Sequence, residues 1–162
     1  MKQLKAITEF LTRLNLVEAE SIDGWVQSID KIVRVAASQG VGGMILFRHS
    51  YTAVLAIENY NHKRHPPELL MAQVVAWLIE HDENRWDDEE AALAMDVDIF
   101  DAESALVEFT IGFSEEVGIV PDSGGAISLW GKRWRLGTPD IWYAVNGDIA
   151  EPVDAVYEME DT

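Results

Sequence analysis

The 162-residue sequence contains no cysteine, which excludes disulfide bonds and sites where cysteine holds zinc or an iron–sulfur cluster. It also lacks any apolar run near the roughly 18 residues that a membrane-spanning helix needs. Residues 1–15 are amphipathic rather than the apolar core of a signal peptide. We therefore expect no membrane contact and no targeting segment. A chain of this length can bury a sizeable core without a covalent cross-link.

Positively charged residues are scarce. The sequence has 12 Lys and Arg against 29 Asp and Glu, a formal net charge of −17. Binding to nucleic acid backbones requires clustered Lys and Arg, so this balance argues against a specific nucleic-acid-binding protein. An acidic surface keeps a protein soluble and steers basic partners towards it. A well-solvated surface without a particular partner accounts for the charge more simply.

Motifs for metal or phosphate binding are absent as well. His62 and His65 are near enough in sequence to share a metal ion. Lys63 and Arg64 lie between them and would oppose a cation, and no third ligand follows at a suitable spacing. The glycines within residues 40–43 predict a turn, because a phosphate loop needs further glycines and then Lys with Ser or Thr. We predict no metal and no cofactor.

Acidic residues occur close together at three places: residues 87–90, Asp96 with Asp98, and Glu115 with Glu116. General acid–base catalysis needs carboxylates in a sheltered cleft with shifted pKa values. The surrounding pattern instead predicts a charged loop and the solvent-facing side of strands. We therefore predict a protein that is not an enzyme.

The N-terminal part predicts one helix and a small hairpin. A helix is expected over residues 2–14, where apolar residues recur at helical spacing: Leu4, Ile7, Leu11 and Leu14. Residues 25–26 and 32–35 are short runs rich in β-branched side chains, which favours strands. We expect residues 29–31 to turn the chain between these strands.

A long strand and the clearest helix follow. Residues 44–60 form an extended run whose two faces are both apolar from Tyr51 onward, so we expect a strand covered on both sides. Pro66 and Pro67 end this run and begin a helix, because proline is tolerated in a first helical turn. That helix, residues 67–82, is apolar around most of its circumference and is expected to pack on the sheet.

Residues 94–120 alternate strictly between apolar and polar side chains, which predicts an antiparallel hairpin with one solvent-facing side. The turn is expected at residues 101–104. A slip of one residue would bury several carboxylates, so the register is strongly specified. Together the elements predict one α+β domain: an antiparallel or mixed sheet with one main helix packed on a face and an N-terminal helix nearby.

One basic and aromatic cluster occurs near the C-terminal end: Trp130, Lys132, Arg133, Trp134 and Arg135. Aromatic residues and arginine dominate protein interfaces, although the same residue types bind single-stranded nucleic acid. In so acidic a chain we favour a protein contact; the alternative is a packed strand with its charges in water. No Lys or Arg follows Arg135, so we divide the chain into a domain over residues 1–135 and an acidic C-terminal extension over 136–162.

The order of these segments resembles the tail completion proteins of contractile-tailed temperate phages, the gene-product-R type. The resemblance covers about residues 45 to 120 and rests on hydrophobic positions with a few polar markers. Its four stretches are Tyr51–Tyr60 ending in Glu-Asn-Tyr, Ala76-Trp77-Leu78, Asp96–Ile99, and Phe109–Val120 with Ser114-Glu115-Glu116-Val117.

The resemblance implies a structural role. Such proteins are similar to tail terminators, which cap the finished tail tube, stop its elongation and prepare head–tail joining. It implies a homo-oligomeric ring, expected to be a hexamer, that contacts tail tube and connector proteins. The protein is expected in the host cytoplasm during assembly and then in the virion tail. We hypothesise that acidic side chains line the channel through which DNA passes. The alternative is an acidic inhibitor or immunity-type protein that binds a basic partner.

Overall fold

Two helices and six strands form the part of the chain that the computed structural model describes, residues 1–35, 42–82, 85 and 91–139. In chain order the elements are α1 (Lys2–Arg13), β1 (Ile22–Arg34), β2 (Met44–Asn61), α2 (Pro67–His81), β3 (Leu93–Ile99), β4 (Ser104–Pro121), β5 (Ile127–Leu129) and β6 (Lys132–Leu136). A single 3₁₀ turn, Ala19–Ser21, precedes β1.

All six strands belong to one antiparallel sheet. Its centre is the pair β2 and β4, each 18 residues long, which at ~3.4 Å per residue extends about 60 Å. Tyr51 lies opposite Phe113, and Ile57 lies opposite Val107. β1 pairs with the outer side of β2. β3 and β6 follow one another along the outer side of β4, and β5 pairs with β6.

Both helices pack on the same face of this sheet, which we call the helix-bearing face. Odd-numbered residues of β2 and β4 form its floor and are nearly all inaccessible to solvent: Tyr51, Ala53, Leu55, Ile57, Val107, Phe109, Ile111 and Phe113. Ile7 and Leu11 of α1 and Leu78 of α2 join the same core. The rings of Phe10 and Trp77 stack at 6.0 Å, so the two helices also contact each other.

The predicted α+β class is confirmed, and of its two options the sheet is the antiparallel one. The helix predicted over 2–14 is α1, and the helix predicted over 67–82 is α2. The hairpin predicted over 94–120 is β3 with β4. Its turn is held by Asp101, whose Oδ1 accepts hydrogen bonds from the backbone N–H groups of Glu103 and Ser104, both at 2.8 Å. The hydrogen bond from the Ser104 hydroxyl, together with these two backbone hydrogen bonds, lowers the pKa of Asp101 to about 2.

The second face of β2 is apolar as well, as expected. Val54 and Ala56 are buried although they point away from the helices. We call this side of the sheet the helix-free face, because α1 and α2 both lie on the other side. Trp25 lies opposite Val54 on the neighbouring strand and contributes an exposed indole to the same face.

The turn predicted at residues 29–31 is wrong. β1 runs without interruption for 13 residues and pairs with β2 throughout. Two irregularities, between Val26 and Ser28 and between Ile29 and Lys31, insert extra residues and break the alternation that sequence reasoning relies on. The carboxylate of Asp30 does not hold a turn. It accepts hydrogen bonds from Ser28 of β1 at 2.6 Å and from Thr52 of β2 at 2.7 Å.

The division of the chain at residue 135 stays a prediction, because residues 140–162 lie outside the described part. β6 itself extends to Leu136. Beyond it the backbone N–H of Gly137 donates to the carbonyl of Gly118 at 3.1 Å, and Pro139 is buried. A Cβ on Gly118 would lie 2.5 Å from the ring of Pro139, so this close packing requires glycine.

Candidate interaction surfaces

The basic and aromatic cluster lies on the short hairpin of β5 and β6. Trp130 and Gly131 form its two-residue turn, with φ angles of 51° and 71°. Positive φ at both positions is typical of the type I′ turn, whose twist matches that of paired strands. At the base of the hairpin, a Cβ on Gly125 would lie 2.1 Å from the carbonyl oxygen of Trp134. The sequence therefore folds the cluster into a compact projection at one end of the sheet.

The structure brings all five predicted residues onto this hairpin but gives them different surroundings. Trp134 is half-buried, and its indole N–H donates to the carbonyl of Leu129 at 3.2 Å. Arg133 donates to Ser128 Oγ at 2.7 Å, and Arg135 forms an ion pair with Asp122 at 3.4 Å. These three side chains hold the hairpin together.

Trp130 and Lys132 are the two members of the cluster that point outward. The indole of Trp130 is 58% exposed at the turn, and Lys132 is exposed with no ion pair to any described residue. An exposed tryptophan beside an unpaired cation is the residue combination that protein interfaces favour. The interaction role predicted for the cluster stays a prediction, and within it these two side chains are the best candidates.

A largely buried carboxylate, Glu115 of β4, organises the part of the helix-bearing face where α1 begins. It accepts hydrogen bonds from the backbone N–H groups of Lys2 at 2.9 Å and Gln3 at 2.7 Å, and from the Tyr51 hydroxyl at 2.6 Å. The N-terminal ammonium of Met1 lies 3.9 Å away. A carboxylate at a helix N-terminus satisfies free N–H groups and complements the positive end of the helix dipole. Glu115 therefore fixes the start of α1 to β4.

This junction changes the acidity of both of its side chains. Burial by itself would raise the pKa of Glu115, but the hydrogen bonds from Tyr51, Gln3 and Lys2 outweigh it, and the pKa is lowered. Burial and the hydrogen bond to Glu115 raise the pKa of Tyr51. Both shifts favour a carboxylate that is ionised and a phenol that is neutral, which is a structural arrangement rather than a proton-transfer pair.

The assignment of Glu115 to a solvent-facing strand side was wrong. Continued alternation from Phe113 places Glu115 on the helix-bearing face, and that signal was available in the sequence. Glu116 does face outward, where it pairs with Arg48 at 2.6 Å. The acidic run at residues 87–90 lies outside the described residues.

Sequence reasoning also missed two buried polar side chains. His49 is only 6% exposed, stacks on Tyr51 at 5.3 Å, and neither ring nitrogen has a hydrogen-bond partner among the described residues. Arg85 is buried against the ring of Phe113, pairs with Asp82 at 3.0 Å, and donates to the carbonyls of Ala92 and Gly112. No local pattern marks either residue as buried.

The helix-free face carries unbalanced negative charge near β3. Asp96 lies directly opposite Glu108, and Asp98 follows on the same side of the strand. None of the three forms an ion pair with a described residue. Like charges directly opposite one another on a sheet are destabilising, so this surface favours a cation supplied from elsewhere.

The two histidines considered for metal binding contact different residues. His62 contacts the carbonyl of Asp101 at 3.2 Å, and His65 lies at 6.3 Å from the ring of Tyr60. Within residues 1–35, 42–82, 85 and 91–139, no group of three or more potential ligands is placed to hold a metal ion. No helix of the described residues is long and apolar enough to cross a membrane.

We expect Glu115→Gln to lower the free energy of unfolding by roughly 1–3 kcal/mol at pH 7, because hydrogen bonds to an ionised group are lost. The folded pKa of Glu115 is depressed, so its contribution is present above the unfolded pKa and is lost as the pH falls through the folded pKa. The difference between wild type and variant, measured by urea unfolding, should therefore shrink from pH 6 to pH 3. Glu116→Gln is the matched control and should cost less than about 1 kcal/mol. A difference for Glu115→Gln that is constant with pH would contradict the assigned role.

Comparison with known proteins identifies a family. No solved structure matches the chain. A protein of Haemophilus phage HP1 (strain HP1c1), described as an uncharacterized 19.2 kDa protein in the rep-hol intergenic region, is 26% identical over 136 residues, which is 84% of this chain and 78% of the phage protein. The model of the family described as P2 phage tail completion protein R (GpR) matches residues 1–139. The resemblance found in residues 45 to 120 thus extends over the whole described domain, and the chain belongs to the P2 phage tail completion protein R family, with a structural role in the phage tail.

Proposed function

We propose that this protein caps the head-proximal end of the tail tube as a homo-oligomeric ring, ends tube elongation and prepares the tail for joining to the head. The observation that carries the proposal is the family match across residues 1–139. The architecture supports a building block rather than a catalyst. Among the buried or nearly buried polar side chains, Glu115 and Arg85 hold α1 and the segment before β3 to the sheet, and His49 stacks on Tyr51.

Exposed apolar side chains support self-assembly. Leu69, Met71 and Ile79 of α2 are each about half exposed, on the side of the helix that turns away from the sheet. A helix that is apolar on its outer side as well as its inner side is typical of one that becomes buried. We propose that the ring is a hexamer, with this outer side of α2 available for contacts within the assembled tail.

The helix-free face suits the wall of a channel that DNA passes through. Asp96, Asp98 and Glu108 lie on that face, and carboxylates repel the phosphate backbone. An acidic wall therefore lets DNA pass without binding it. On this proposal the helices point away from the channel.

The projecting hairpin is the proposed contact to the tail tube or a connector protein. Trp130 and Lys132 project from its turn, while Trp134 and Arg135 hold it in place. Such a projection reaches a neighbouring protein without disturbing the sheet.

The proposal is tested by deleting the gene from the phage genome that encodes it and examining lysates by electron microscopy. We expect tubes of irregular length and heads without joined tails, both corrected when the gene is supplied in trans. Light scattering of the purified protein over a range of concentrations should show a shift towards a hexamer. Tails of normal length that join heads without the gene would contradict the proposal. A monomer that binds a basic protein tightly, with salt-sensitive association, would support the alternative of an acidic inhibitor.

We expect the double variant Trp130→Ala with Lys132→Ala to retain its thermal stability and oligomeric mass, because both side chains are exposed. Loss of an interface hot spot of ~2 kcal/mol weakens binding about 30-fold, so infectious particle yield should fall at least tenfold. Lys63→Ala removes an exposed cation from a distant loop and should leave the yield unchanged. Normal yield from the double variant would remove the hairpin from the proposed interface.

A further inference from the structure

Three strands of the sheet have only one partner among the described residues: β1, β3 and the three-residue β5. β1 pairs only with β2, and β3 pairs only with β4. Neither strand contains proline, and β1 is 13 residues long. Natural proteins usually blunt such edges because a free row of N–H and C=O groups is a template for pairing with another chain. β1 carries two bulges, and both edges carry charged side chains, so a pairing strand must match these features. The opposite edge of a second copy is a candidate for such a match.

The backbone groups of β3 that face away from β4 can be identified. The N–H of Gly112 donates to the carbonyl of Ala92 at 2.8 Å, and the N–H of Phe100 donates to the carbonyl of Ser104 at 3.0 Å. Backbone groups alternate in direction along a strand. Ala94, Asp96 and Asp98 are therefore bonded towards β4, whereas the N–H and C=O groups of the odd-numbered residues from Leu93 to Ile99 point outward.

The directions of the strands allow a second copy to continue the sheet. The order across the sheet at this level is β1, β2, β4, β3, and each neighbouring pair is antiparallel. Three reversals make β1 and β3 run in opposite directions. When one copy is rotated onto the next about a ring axis, β3 of the first and β1 of the second are antiparallel, like every other pair in the sheet. Such a head-to-tail contact closes into a ring when the rotation permits.

Half of β1 is open to such a contact. α1 covers the first half on the helix-bearing face, where a Cβ on Gly24 would lie 2.9 Å from Thr8 Oγ1. Residues 29–34 are exposed and Ser28 is half-buried. Residues 28–34 form a stretch as long as β3, which has seven residues. Pairing of these two stretches displaces neighbouring copies along the strands, so that the strands are tilted to the ring axis, as they are in closed barrels.

The apolar side chains of the two edges match on the helix-bearing face. Ile29 lies opposite Tyr51 and Ile32 opposite His49, so both point to that face, and Ile32 is 65% exposed. Val97 lies opposite Val107 and Ile99 opposite Ala105, which places them on the same face, and Ile99 is 64% exposed. In a continued sheet these exposed residues become cross-strand neighbours and cover one another.

The charges of the two edges match on the helix-free face. Lys31 lies opposite Ser50 on that face and has no ion pair with a described residue. The neighbouring Asp30 is hydrogen-bonded within its own chain to Ser28 and Thr52. Asp96 and Asp98 project from β3 on the same face. When the midpoint of residues 28–34 is aligned with the midpoint of β3, Lys31 of one copy lies opposite Asp96 of the next. Lys31 then supplies the cation that this acidic surface lacks.

We propose that β3 of each copy pairs in antiparallel fashion with residues 28–34 of β1 in the next copy, so that one sheet continues around the ring. The partner is a second copy of this chain. The inference rests on the proposed ring and identifies the strands that build it.

The absence of native cysteine makes covalent trapping selective. We expect the double variant Ile32→Cys with Val97→Cys, produced in cells that assemble tails and treated with a short bismaleimide cross-linker, to give a ladder of multimers ending at the ring size. Either single variant should remain monomeric on a denaturing gel. Complete tails in which the double variant stays monomeric would overturn the inference and leave the proposed function intact. Complete tails in cells that lack the gene would instead overturn the proposed function.

A charge exchange tests the same contact without cross-linking. Asp96→Lys removes the repulsion from Glu108 within the subunit, so a purely structural role predicts unchanged or higher thermal stability and unchanged assembly. The proposed contact predicts at least a tenfold loss of assembled rings, because Asp96→Lys places a cation against Lys31 of the next copy. Addition of Lys31→Glu should restore assembly to within a few-fold of wild type. Equal assembly of the single and double variants would overturn the proposed pairing.

Discussion

The antiparallel pairing of β2 with β4 is the constraint on which the other elements depend. β1 attaches to the outer side of β2, and β3 and β6 attach to the outer side of β4. Both helices pack on the odd-numbered side chains of this pair, so a slip of one residue would exchange its buried and exposed sides. Glu115 adds a polar fixed point by joining the start of α1 to β4. A subunit built in this way leaves the outer sides of β1 and β3 without a partner among the described residues.

Much of this fold was predictable because it is encoded locally. The 3.6-residue period of α1 and the apolar surface of α2 predict helices. The period of two in β3 and β4 predicts a hairpin. β1 was interpreted as a hairpin because its two bulges interrupt the period, although its hydrogen bonds continue to β2. The pairing order of the strands was not predictable from periodicity, since period reports which side a residue faces and not which strand lies beside it.

The interaction surfaces were predictable only in part. Composition located the cluster from Trp130 to Arg135, but the separation of its outward members from those that hold the hairpin depends on contacts with Leu129, Ser128 and Asp122. The role of Arg85 depends on a partner 27 residues away as well as on the nearby Asp82, and that of Glu115 on a partner 113 residues away. The family resemblance connected this pattern to phage tails, and the match over residues 1–139 established it.

The central claim, that copies of this protein form a ring at the end of the tail tube, is tested most directly by cryo-electron microscopy of isolated tails. The account predicts a ring of this subunit at the head-proximal end, with the helices outside, the helix-free face lining the channel, and β3 of each copy beside β1 of the next. Absence of the protein from that end, or carboxylates of β3 and β4 on the outer wall of the ring, would contradict it.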